Sequence, residues 1–204
     1  MAVTGLSIPV FGKYANNEGA ISYSQGKTIG HAISYNVELT TSDDNPLYGD
    51  NMIVENDTGL FQSGTLTFNT SELTPDISKW LLTLSEATYS FTPTGATSTS
   101  SVTEYVFDDN LVPIYLGFGV IEQSIVNGAT KYQAVILPKI KANIPPDAAN
   151  TRGEQIEWQT KELTFQIYRD DSATHRWKIM SELFSSEADA VAYLNSKLGV
   201  GSNS

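Results

Sequence analysis

A mainly β chain with flanking α-helices, its two antiparallel sheets packed as a sandwich or partial barrel, is the fold class that this 204-residue sequence predicts. Three observations predict it. Apolar and polar residues alternate with period two in several separated runs. An Asn-Gly pair, the strongest short hairpin signal, joins two of the longest. Only two stretches carry helical periodicity, so the regular strand and helix alternation of parallel folds is missing.

The first run is Ile33, Tyr35, Val37 and Leu39 alternating with Ser34, Asn36 and Glu38, as in a strand with one buried face. TTSDDNPLYGDNMIVENDTG at 40–59 is rich in Asn, Asp, Gly and Pro and reads as a long connection. Connections beyond about 12–15 residues are uncommon in compact domains and usually carry function. Alternation resumes at Leu66 and Phe68. TPDISKWLLTL at 74–84 predicts a helix, with Thr74 as cap, Pro75 at the first helical position and Asp76 near the positive end. Its apolar stripe is Ile77, Trp80, Leu81 and Leu84, with Trp80 expected to pin the helix onto a sheet. SFTPTGATSTSSVTE at 90–104 predicts a surface loop or an edge hairpin.

LVPIYLGFGVIEQSIV and ATKYQAVILPKIKAN flank Asn127-Gly128 and predict a long hairpin over 111–142. Pro113 and Pro138 cannot donate ladder hydrogen bonds, which assigns them to strand ends, edges or bulges. IPPDAANTRGEQIEWQTKELTFQIY at 144–168 starts as a polar loop and runs into a strand. Its apolar positions change phase between Trp158 and Leu163, which implies a bulge or a crossing between sheets. A second helix follows over 186–199, capped by Ser186, with Ala190, Val191, Leu194 and Leu198 on one face and Gly199 as its stop; 200–204 reads as a flexible tail. The length suits one domain over 1–204.

Composition narrows the function. Without cysteine the chain has neither disulfides nor thiolate metal sites. No secretory leader is apparent, so maturation in a cytoplasm is expected. The longest apolar stretch, at 111–121, falls short of the about 20 residues that cross a bilayer. The net charge of −11 is uneven: residues 28–130 hold thirteen Asp and Glu against one basic residue, Lys79. Such a field argues against nucleic-acid reading, which requires clustered Lys and Arg.

Catalytic patterns are missing. His31 and His175 are the only histidines, no G-x-S-x-G or phosphate-cradling Gly-Lys loop occurs, and Gly117-Phe118-Gly119 lies inside a strand pattern where glycines allow close packing. SDDNPLYGDN fails as a calcium loop because Leu47 stands where an oxygen ligand is needed and no glutamate closes it. Asp108-Asp109 adjacency does not make a glycosidase pair, which must face across a cleft. Asn56-Asp57-Thr58 and Asn69-Thr70-Ser71 match the glycosylation sequon, a weak signal in an Asn- and Thr-rich chain.

Three blocks together resemble the major tail proteins, the tail-tube subunits, of long non-contractile tailed bacteriophages. They are LYGDNMIVENDTGLFQSGTLTFNTSELTPDISKWLL, LGFGVIEQSIVNGATKYQAVILPKIKANIPPDAANTRGEQIEWQT and EADAVAYLNSKL. The resemblance implies a tail-tube-protein-like fold in a single domain and rings of six subunits stacked into a hollow tube. It also implies a role without catalysis or cofactor, in the virion tail after synthesis in the host cytoplasm. DNA would pass through the bore without specific binding, and no membrane would be engaged. The partners implied are further copies of the chain, a tape measure protein, a distal tail protein and a tail terminator. The span 40–62 corresponds to the family's inter-ring loop, which makes Leu47, Tyr48, Asp50, Asn51, Met52 and Ile53 the candidate stacking residues. Its apolar members are suited to a partner surface or, equally, to anchoring the loop on its own domain. The strand around Glu154, Gln155, Glu157 and Gln159 would face the lumen or a neighbour. Fixed carboxylates also suit a DNA channel, because they repel phosphate over a Debye length of roughly 8 Å. The alternative is a carbohydrate-binding β-sandwich module on a virion or cell surface, which needs a planar cluster of aromatics drawn from Trp158 and Trp177.

Overall fold

The computed structural model describes residues 2–57, 59–145 and 160–201. Its elements, in chain order, are β1 (Ala2–Asn17), β2 (Ala20–Thr28), β3 (Ala32–Thr41), β4 (Asn45–Gly49), β5 (Met52–Asp57), β6 (Phe61–Thr70), α1 (Pro75–Leu82), β7 (Ser85–Phe91), β8 (Ser100–Val106), β9 (Tyr115–Val126), β10 (Ala129–Ala142), β11 (Lys161–Tyr168), β12 (Ile179–Met180) and α2 (Glu187–Leu198). The fold is mainly β and antiparallel with two helices, as the alternation predicts.

One eight-stranded sheet runs in the order β2-β1-β9-β10-β11-β6-β3, with β12 added to β10. Four phenylalanines show how it curls. Phe11 of β1 lies 4.9 Å, centroid to centroid, from Phe118 of β9, and also 5.4 Å from Phe165 of β11 and 5.8 Å from Phe68 of β6. Strands that are not neighbours in the sheet thus bring their rings together. Each of these fully buried rings contributes roughly 1.5–3 kcal/mol of burial. The two layers expected as separate sheets are therefore halves of one sheet, joined through β10. Pro138 sits where that passage occurs: the β9–β10 register shifts between Leu137 and Ile140, β12 pairs before the shift and β11 pairs after it.

The Asn127-Gly128 turn forms as read, with φ of 51° and 78°. Helix α1 also forms, Thr74 accepting the Ile77 N–H and Thr83 closing the end in the left-handed conformation. Its anchor is the expected stripe with Leu82 added. Leu81, Leu82 and Leu84 form the buried part of the anchor, and the half-buried Ile77 and Trp80 pack against the same core from its margin.

Helix α2 covers a second, smaller core made with Val10, Ile121, Ala134 and Ile136. Glycines let it seat closely: a Cβ on Gly119 would meet Leu194 Cδ1 at 2.3 Å, and one on Gly12 would meet the Leu198 carbonyl oxygen at 2.3 Å. The close-packing reading of Gly117 and Gly119 follows from this contact.

Two hairpins stand outside the main sheet, β4–β5 and β7–β8. The second resolves the open choice at 90–104 in favour of a hairpin. The phase change between Trp158 and Leu163 involves residues outside those described, although Leu163, Phe165 and Ile167 are buried as the later phase requires.

Candidate assembly surface

The span 40–62 is not an irregular connection. Thr40 and Thr41 end β3, Phe61 begins β6, and between them β4 and β5 pair as a hairpin from Asn45 opposite Asp57 to Gly49 opposite Met52. Asp50 and Asn51 form the tip at φ of 50° and 61°, the left-handed pair that a two-residue hairpin turn demands and that Asp and Asn tolerate. Leu47 pairs with Glu55 but Tyr48 pairs with Ile53, so Val54 is the additional residue of a bulge.

The neck of the hairpin is tied to the sheet. Ser42 N–H donates to the Leu60 carbonyl at 2.9 Å, and the Leu60 N–H donates to Ser42 Oγ at 2.9 Å. Asp44 accepts from the Gly59 N–H at 3.0 Å and from Asn56 Nδ2 at 3.3 Å. Beneath the neck, Phe61 stacks on Trp177 at 5.0 Å with ring planes 5° apart, and the Arg169 guanidinium donates to the Phe61 carbonyl.

Above the neck the apolar residues are uncovered. Leu47, Tyr48, Met52 and Ile53 are 58–69% exposed, which decides against the reading that they anchor the segment to its own domain. Val54 and Leu60 are exposed to the same degree and escaped the sequence reading, although both stand in the quoted span. Six large apolar side chains on or beside one hairpin are thus exposed, Leu47 and Tyr48 on opposite faces of it.

The main sheet offers a second unfilled surface. Its two edges differ, because Gly26 of β2 donates to Gly199 at 3.0 Å and bridges to Val200, whereas β3 pairs only with β6 among the described residues. Ile33 and Leu39, read as part of a buried face, are 48% and 44% exposed on this edge strand. Ala32, Tyr35 and Val37 of the same strand pack against the core.

Glu154, Gln155, Glu157 and Gln159 lie outside the described residues, as do Ile156 and Trp158. Among the described residues no group of three His, Cys, Asp or Glu side chains could hold a metal ion, and no helix is long and apolar enough to cross a membrane. Comparison with known proteins gives no assignment: no family model matches the chain and no curated protein is detectably similar to it.

Proposed function

We propose that this chain is a structural subunit that polymerises, most specifically the tail-tube subunit of a long non-contractile tailed phage, building stacked hexameric rings through which DNA passes. The observation that carries the reading is the β4–β5 hairpin, whose neck is held by its own domain while its apolar side chains are left for another surface. A ring must close, whereas stacking repeats, so a projecting hairpin suits the open-ended contact. The edge of β3, unpaired among the described residues, suits lateral contact between subunits, since a free edge is a template for further pairing. Tape measure, distal tail and terminator proteins are the partners this role calls for, with virion tail as location and no catalytic activity.

The carbohydrate-binding alternative needs aromatic faces free and coplanar. Trp177 has one face covered by Phe61, and Trp80 is half-buried beside Lys13 and Lys27, so no observation favours that reading.

Sedimentation over a concentration series tests the proposal with two proteins, the full chain and a variant lacking 44–58. The full chain is expected to form large species as concentration rises, and the deletion variant to remain a folded monomer. Equal assembly by both would refute the role of the hairpin.

A further inference from the structure

We propose that the hairpin tip of one subunit docks in a lysine-lined cleft beside α1 of a second copy, an inference that rests on the assembly reading and supplies its missing receptor. The cleft has a volume of about 460 Å³ and is lined by Lys13, Lys27, Asp76, Lys79, Trp80 and Leu84 among others. Lys13 and Lys27 hold their ammonium groups 6.0 and 5.6 Å from the centre of the Trp80 ring. Neither has a carboxylate partner among the described residues, whereas Lys79 is paired with Glu86 at 2.7 Å. Asp76, the acid within the cleft, accepts a hydrogen bond from the Tyr105 hydroxyl at 2.6 Å. Trp80 Nε1 is buried without an acceptor among the described residues. In a chain of net charge −11, two lysines over a half-exposed indole, without a carboxylate partner among the described residues, are a local exception that fits an acidic, partly apolar guest.

The hairpin has that composition. It presents Asp43, Asp44, Asp50 and Glu55 with its exposed Leu47, Tyr48, Met52 and Ile53, and no Lys or Arg occurs from 28 to 78. Asp50 at the tip enters between Lys13 and Lys27, and Tyr48 or Met52 covers the indole.

Topology makes the contact one between copies. β3 and β6 pair from Thr41 opposite Phe61, at the hairpin neck, to Ala32 opposite Thr70, at the other end. Thr70 Oγ1 donates to the Ile29 carbonyl there, two residues beyond Lys27, and α1 begins five residues after Thr70. Hairpin and cleft therefore occupy opposite ends of a ten-residue strand, about 30 Å apart at ~3.3 Å per residue. A protrusion at one end and its receptor at the other generate a head-to-tail contact that repeats.

Because the chain has no cysteine, introduced thiols report the contact directly. Full-length Asp50→Cys and Lys27→Cys proteins are mixed and oxidised, with Asp50→Cys mixed with Thr130→Cys as control, since Thr130 is exposed at the far end of the β9–β10 hairpin. A disulfide-linked dimer at least about ten times more abundant than in the control is expected, falling to the control level when Lys13→Glu is added to the Lys27→Cys chain. A yield equal to the control overturns the inference. Cross-linking without tubes retains the docking site and rejects the tube; tubes without cross-linking retain the tube and reject the docking site.

Discussion

The Asp44 carboxylate accepts the Gly59 N–H at 3.0 Å, joining the two ends of the β4–β5 hairpin where they leave the main sheet. This bond lies outside both hydrophobic cores, so its loss should act locally. Asp44→Ala is expected to raise the opening of the hairpin by about 1 kcal/mol while leaving the denaturant midpoint of the whole chain unchanged. Hydrogen exchange at Gly59 and Leu60 reads the first effect, and urea unfolding reads the second.

The exposed hairpin residues should separate assembly from stability. Leu47 and Ile53 touch little of their own domain, and surface substitutions of this kind usually change stability by no more than about 0.5 kcal/mol. Leu47→Ser with Ile53→Ser is therefore expected to unfold as the native chain does yet to sediment as a monomer at concentrations where the native chain associates. A lowered unfolding midpoint would mean that the two side chains serve the subunit itself.

The seat of α2 is sensitive to one methyl group. A Cβ at Gly12 would lie 2.3 Å from the Leu198 carbonyl oxygen, a backbone atom that cannot swing aside. Gly12→Ala should displace the end of α2 and cost about 1–3 kcal/mol by overpacking, measured by urea unfolding.

Asp170 sets an acid limit on stability. Burial alone would raise its pKa, but hydrogen bonds from Ser172 and Arg176 and the Arg176 charge hold it below the usual carboxylate range. Arg176 N–H donates to Oδ1 at 2.8 Å and Nε donates to Oδ2 at 2.9 Å. A lowered native pKa gives stabilisation that is complete above the unfolded value near 3.9 and is lost as pH falls through the native value. Asp170→Asn is expected to cost about 2 kcal/mol at neutral pH, with the gap to the native chain closing below about pH 4. A gap independent of pH would assign the effect to shape instead of charge.

What was legible in the sequence was the pattern that burial writes. The β9–β10 hairpin, both helices and the buried Leu163, Phe165 and Ile167 have strong periodicity because they face a core. The β4–β5 hairpin buries neither face, and its Asn, Asp and Gly residues read as loop although they serve a tight turn and its flanks. The β1–β2 hairpin was missed for another reason. Ile8, at φ of 48°, falls with Pro9 inside a register shift between Ser7 and Val10, and Gly12 has no side chain, so the alternation breaks. Glu18-Gly19, at φ of 52° and 88°, is the turn signal that could have identified it. Helical spacing gives the core-facing side of α1, on which Trp80 packs, but not the depth at which each residue sits: Leu82 is buried and Trp80 lies at the margin.

Electron microscopy of the full-length chain across a concentration series tests the assembly claim most directly. Hollow tubes with six-fold end views, absent from the variant lacking 44–58, are the expected result. Closed dimers in place of tubes, or tubes that persist without the hairpin, would contradict it.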